Sequence, residues 1–136
     1  MIGVDTNILL RVLLQDDPEQ NAEINAALIR ARDAGETLYI GPVAFVETIW
    51  TLRRRVPMEE LTSAVSALIA TPPFRIFDEK VATGALEMFS GGKAGFSDCI
   101  IAAMNDAAGC ARTLTFDRGA LSLTHFMRPH AYGAAE

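Results

Sequence analysis

Four carboxylates stand where a strand end or an apolar run would place them. Asp5 closes Ile2-Gly3-Val4-Asp5, and Asp117 closes Thr113-Leu114-Thr115-Phe116-Asp117. Glu47 is the only charge between Thr37 and Leu52, and Asp98 is the only charge between Ala94 and Asn105. A carboxylate in apolar surroundings is costly unless it is paired or holds a cation. Each acid also has an ordinary role open to it. Asp5 and Asp117 fit a cap or a turn, as does Asp78 after Phe74 to Phe77, which is well placed as a helix N-cap. Asp98 fits a first-turn acid favoured by the helix dipole. Glu47 fits an ion pair with Arg54 or Arg11. Taken together, four acids with no evident basic partner suggest a hard-cation site, and oxygen-only ligands favour Mg²⁺ or Mn²⁺. Such ions position a water, lower its pKa and neutralise a phosphodiester as it reacts.

The elements that must position these acids follow from pattern. Met1 to Val4 is short and apolar, which predicts a buried strand. Thr6 to Leu14 predicts a helix, with Asp5-Thr6-Asn7 offering caps at its start. Asp17 caps a helix that carries Pro18 at its first position and Gln20 at its third, striped at 24, 27, 28 and 31 and ended by Gly35. Thr37 to Ile40 predicts a strand. Gly41-Pro42 opens a helix to about Arg54, and Met58 to Ala70 forms another, striped at 61, 65, 68 and 69. Phe74 to Phe77 predicts a strand, and Glu79 to Phe89 a helix striped at 81, 85, 88 and 89. The helix Phe96 to Ala108 is striped at 96, 100, 103, 104 and 107. Ala111 to Phe116 predicts a strand, Asp117 to Leu121 a turn or short helix, and the region near Phe126 one more short strand. Strands alternating with helices of 10–17 residues predict an α/β sandwich on a parallel sheet covered on both faces. Ligands of such sheets bind beyond the carboxyl ends of the strands.

Composition narrows the classes. The chain has 136 residues, 50% hydrophobic and 21% charged, which excludes a disordered polymer and is one domain's worth, 1–136. A mean hydropathy of +0.21 is high for so small a chain and points to apolar surface covered by a partner or a second copy. No apolar run reaches the length of a membrane span. The N-terminal residues lack a basic n-region, and Cys99 and Cys110 stand outside any C-x-x-C pattern, so the expectation is a cytoplasmic protein with reduced thiols. A net charge of −5 and a pI near 5.0 exclude a nucleic-acid binder driven by general basic charge. A chain of this charge needs a local device to hold a polyanion, either arginines or bound cations.

At this point the residues carry a resemblance. Val4-Asp5-Thr6-Asn7-Ile8-Leu9, Asp16-Asp17-Pro18-Glu19-Gln20, the isolated Glu47 before Trp50, Phe96-Ser97-Asp98-Cys99-Ile100-Ile101-Ala102 and Thr115-Phe116-Asp117 resemble a PIN domain. More narrowly, they resemble the VapC-type ribonuclease toxins of bacterial toxin–antitoxin pairs. The likeness runs from Met1 to about Phe126. It implies a PIN-like three-layer sandwich with a parallel sheet of about five short strands flanked by helices. It implies Mg²⁺- or Mn²⁺-dependent endonuclease activity on RNA, a homodimer, and a cognate antitoxin that blocks the site. Asp5, Glu47, Asp98 and Asp117 match the family's acids in order, as catalytic residues and metal ligands. Thr6, Asn7 and Thr115 match the polar residues around them.

Other features have plainer explanations. Arg53-Arg54-Arg55 fits a solvated helix end favoured by the dipole, with phosphate contact as the alternative. Gly91-Gly92-Lys93 lacks the phosphate-loop pattern. His125 and His130 are spaced poorly for a metal and fit surface or packing roles. Two other functional classes stay open from sequence: a non-catalytic RNA- or protein-binding module that keeps the acids, and a metal-dependent phosphatase. Metal-dependent RNA cleavage separates the ribonuclease from the first, and turnover of small phosphomonoesters would favour the second.

Overall fold

A computed structural model describes residues 1–134. The chain divides into two compact units, Met1–Glu79 and a second that begins at Lys80.

The N-terminal unit runs β1 (Ile2–Val4), α1 (Thr6–Leu14), α2 (Pro18–Asp33), β2 (Leu38–Ile40), α3 (Pro42–Arg53), α4 (Met58–Ala70) and β3 (Phe74–Ile76). Its three strands form a parallel sheet in the order β1-β2-β3, with Ile2 opposite Leu38 and Leu38 opposite Phe74. Each crossover is a pair of helices, as parallel pairing demands of a chain that must return to the same end. The helix starts follow their capping residues. The Asp17 carboxylate accepts from Gln20 N at 3.0 Å, with Pro18 at the first helical position. Gln20 does not close the capping box; its Oε1 accepts instead from Arg11 Nε at 2.6 Å. Arg11 also bonds Asp16 at 3.0 Å, so one arginine ties α1 to the start of α2. At the other end of α2, Arg32 donates twice to the carbonyl of Pro72, at 3.2 and 3.1 Å. Leu9, Ile40, Phe45, Ile49, Leu61 and Val65 are buried, and Phe45 meets Phe77 edge to face.

The second unit contains α5 (Glu79–Ser90, all but its first residue), α6 (Phe96–Ala107), β4 (Thr113–Leu114), a 3-10 turn (Ala120–Ser122), β5 (Phe126–Met127) and a second 3-10 turn (Pro129–Ala131). β4 and β5 pair in parallel, Thr113 opposite Phe126. Ala102, Ala120 and Phe126 form a small core with Met88, Leu121 and Leu123 against it. Phe89 packs edge to face on Phe96. Asn105 donates to Thr113 Oγ1 at 2.9 Å, and that hydroxyl lies 2.7 Å from His125 Nε2. His125 is therefore a packing residue that joins α6, β4 and the approach to β5.

Among the described residues, six α-helices and five short strands match the expected α/β class, the strands paired in parallel in two sheets of three and two rather than in one sheet of about five. Several local expectations are corrected. β1 is an edge strand of its sheet, and Ile2 is 56% exposed rather than buried. On α2 the inward stripe is Asn21, Ile24, Leu28 and Ala31, while Ala27 faces solvent. On α6 the buried face is Phe96, Cys99, Ile100 and Ala102, leaving Met104 and Ala107 exposed. β4 is shorter than the apolar run that contains it, because only Thr113 and Leu114 have a partner strand. Among the described residues no helix is long and apolar enough to cross a membrane.

Candidate functional site

Asp5 follows β1 directly and is the N-cap of α1. Its Oδ1 accepts from Ile8 N at 3.1 Å. Capping occupies one carboxylate oxygen and fixes the side chain at the carboxyl end of the strand, while Oδ2 takes no hydrogen bond from the described residues. The next residue reaches further: Thr6 Oγ1 donates to Glu47 Oε2 at 2.8 Å. Glu47 lies on α3, the helix that leaves the carboxyl end of β2. The N-terminal unit thus gathers Asp5, Thr6 and Glu47 at one end of two adjacent parallel strands, where ligands of such sheets bind. Asn7 is exposed, and its side chain makes no hydrogen bond among the described residues.

The expected apolar setting of Glu47 is corrected. Phe45, Thr48, Ile49 and Leu52 form the buried face of α3, while Val43, Glu47 and Trp50 form the opposite, exposed face. An apolar run along the sequence is not an apolar environment when a helix carries large apolar residues on both faces. The ion pairs considered for Glu47 are absent among the described residues. Arg11 is engaged with Asp16 and Gln20, and Arg54 lies over the ring of Trp50. Arg55 reaches to 3.7 Å from Asp16.

In the second unit, Asp98 is the third residue of α6 and is half-buried. Its N-terminal position does not make it a cap: Gly95 occupies that place, without a side-chain bond. A first-turn acid stabilised by the dipole would have a lowered pKa. Here burial pushes the Asp98 carboxyl above its ordinary value, and the charge of Asp117 pushes it further in the same direction. Burial and a neighbouring negative charge therefore both oppose the ionisation of Asp98, a condition that a bound cation relieves.

Asp117 is held by its own turn. Its backbone N–H donates to Thr115 Oγ1 at 3.0 Å, and its Oδ1 accepts from Gly119 N at 2.7 Å. Thr115 is in turn anchored by a bond from its N–H to Met127 O at 2.9 Å. Gly119 holds a candidate acid in place, and motif reading missed it. A Cβ there would stand 3.2 Å from Asp117 Oδ1 and 3.5 Å from Lys93 O. The sequence signal is Asp117-Arg118-Gly119, a carboxylate two residues before a glycine, as in an Asx turn.

The donor set of both units is carboxylate oxygen, the chemistry that suits a hard divalent cation. Among the described residues no group of three or more His, Cys, Asp or Glu side chains is gathered to hold a metal ion. Within each unit the acids form a pair: Asp5 with Glu47 through Thr6, and Asp98 with Asp117.

With the geometry in place, comparison with protein families gives a match to the PIN domain over residues 2–125. That span covers most of the chain, and the chain belongs to the PIN domain family. Members of this family are generally nucleases, act on nucleic acid, and typically use divalent metals. No curated protein matches the sequence.

Proposed function

We propose that this chain is a Mg²⁺- or Mn²⁺-dependent endoribonuclease of the VapC type, the toxin of a toxin–antitoxin pair, with 1–136 acting as one PIN domain. The observation that carries the reading is Asp98, half-buried on α6 with no basic partner among the described residues, its carboxyl raised first by burial and then by the charge of Asp117. Asp5, Glu47, Asp98 and Asp117 are the residues that would hold the cation. A divalent cation, when bound, supplies positive charge against the phosphodiester. The chain's own residues do the rest. Thr6 holds one oxygen of Glu47 and leaves the other to take a proton from the attacking water. Gly119 N and Thr115 keep Asp117 in its turn, and the cap at Ile8 keeps Asp5 at the strand end.

The partners follow from surface. A recess of about 670 Å³ in the N-terminal unit is lined by Leu13, Leu14, Leu52, Val56, Leu61 and Ala64, with Glu59 and Glu60 at it as well. An apolar floor beside two carboxylates suits an amphipathic antitoxin segment that carries a basic residue. Exposed Ile101 and Met104, one turn apart on α6, support a homodimer.

The test is incubation of the purified chain with total RNA in Mg²⁺, in Mn²⁺ and in EDTA. Cleavage is expected with metal and not with EDTA, and Asp5→Asn and Asp98→Asn are each expected to abolish it. Wild-type cleavage by either variant would overturn the site, and hydrolysis of small phosphomonoesters without RNA cleavage would overturn the activity. Light scattering at high micromolar concentration tests the dimer.

A further inference from the structure

Two exposed aromatic rings have an arginine laid over them, and each stands beside one of the candidate acids. Trp50 is 56% exposed, and the Arg54 guanidinium carbon lies 4.7 Å from its ring centroid. Trp50 follows Glu47 by one turn on the outward face of α3, so indole and carboxylate share that face. Phe116 is 73% exposed and directly precedes Asp117, and the Arg128 guanidinium carbon lies 5.8 Å from its ring centroid. The two pairs are built differently. Trp50 and Arg54 are four apart on one helix, whereas Phe116 and Arg128 join the segment after β4 to the one after β5.

Neither ring belongs to the buried core. An aromatic face stacks on any nucleobase, and a guanidinium offers paired N–H donors to a phosphate. Ring and arginine together match one nucleotide. The chain carries a net charge of −5, so general electrostatics cannot hold RNA on it. Local stacking with one phosphate contact per platform supplies what net charge does not. Of the Arg53-Arg54-Arg55 run, Arg54 lies over a ring, which separates it from a merely solvated helix end.

We propose that Trp50–Arg54 and Phe116–Arg128 are stacking platforms for unpaired bases of single-stranded RNA. The proposal rests on the ribonuclease reading, which supplies the ligand class. It adds a selectivity: a duplex hides its base faces, so the platforms take single strands and loops and reject helical RNA. The four residues bind substrate away from the bond that breaks.

Trp50 is the only tryptophan in the chain, so its fluorescence reports stacking directly. The probes are a short oligoadenylate RNA, the same RNA paired with its complement, and inorganic polyphosphate, each titrated into full-length Asp98→Asn protein in Mg²⁺. The single strand is expected to quench the indole, and the duplex and polyphosphate are not. By anisotropy of labelled RNA, Trp50→Ala and Phe116→Ala should each weaken binding on the order of tenfold, with Trp50→Phe restoring most of it. In the wild-type background their loss should fall on KM more than on kcat. Arg54→Ala should flatten the salt dependence of binding by about 0.7 in the log–log slope, and Trp50→Ala should not. If wild type cleaves RNA while the single strand leaves Trp50 fluorescence unchanged, or polyphosphate quenches as strongly, the platforms are refuted and the nuclease stands. If wild type cleaves nothing but the single strand still quenches, the platforms stand and the nuclease reading falls. If it neither cleaves nor quenches, both fall.

Discussion

Thr6 Oγ1 donates to Glu47 Oε2 at 2.8 Å, joining the first residue of α1 to the outward face of α3 across 41 positions of sequence. The bond fixes the rotamer of an exposed carboxylate that otherwise samples solvent, so its value lies in orientation. Thr6→Val keeps the shape and removes the donor. Because Glu47 is exposed, the stability cost should be small, about 0.5–1 kcal/mol. RNA cleavage should fall by roughly tenfold or more, the scale of a mispositioned general base. Thr6→Ser should restore it. A thermal melt alongside kcat separates the two effects, and a variant that loses stability but no rate would make Thr6 a structural residue only.

The two cysteines should differ sharply in reactivity. Cys99 is fully buried, and burial, with the charge of Asp98 second, pushes its thiol up to about 11. Cys110 is exposed and free. The thiolate is the reactive species, so near pH 8 a chromogenic disulfide should titrate one thiol of the native chain and both in guanidinium chloride. Cys110→Ser should show no native reaction. Burial leads the causes at Cys99, so Asp98→Asn should leave it silent.

Much of this was legible in the sequence where local chemistry is decisive. The bounds of α1 and α4 follow from Asp5 at one start, Pro57 at the other and Pro72-Pro73 beyond the end, since a cap or a proline acts within a few residues. Strand ends and apolar runs single out the four candidate acids. What was not legible depends on which way a helix faces. Glu47 was expected in apolar surroundings and sits on the exposed face, because Val43 and Trp50 are apolar on that same face. The burial of Asp98 with Asp117 against it joins residues 19 apart and has no local signature. The same holds for Arg128 over Phe116. β4 was overlong because hydrophobic pattern marks an apolar run, while pairing alone marks a strand.

Asn21 offers a stability test of the N-terminal unit. It sits on the inward stripe of α2, is 9% exposed, and its Oδ1 has no hydrogen-bond partner among the described residues. A buried acceptor left unpaired carries a desolvation cost of about 1–3 kcal/mol. Asn21→Leu keeps the branched heavy-atom skeleton with bulkier methyl ends, matches the Ile24 and Leu28 stripe and has better helix propensity. It should raise the unfolding free energy by about 1 kcal/mol in a urea melt with an unchanged m-value. A loss of stability would mean that the amide has a partner that the substitution breaks.

Asp98 supplies the prediction that a purely structural residue would fail. Its carboxyl is raised above the ordinary value first by burial and then by Asp117. With a raised folded pKa, the folded chain keeps a proton that the unfolded chain has already lost. The unfolded state then binds fewer protons, so the stability contribution is full below the unfolded carboxylate range. It is lost as pH rises through the folded value, and at neutral pH the ionised group is a net burden on the metal-free fold. Asp98→Asn removes that burden, and in EDTA near pH 7.5 it should melt no lower than wild type. Below pH 4 the difference between the two should shrink. Asp117→Asn should recover only part of the gain, since burial of Asp98 remains. Metal reverses the order. Mn²⁺ at 100 times its dissociation constant should add about 2.7 kcal/mol to wild type and much less to Asp98→Asn. If the metal-free variant is clearly less stable than wild type and Mn²⁺ shifts both alike, Asp98 holds the helix start rather than a cation, and the four-acid site is refuted.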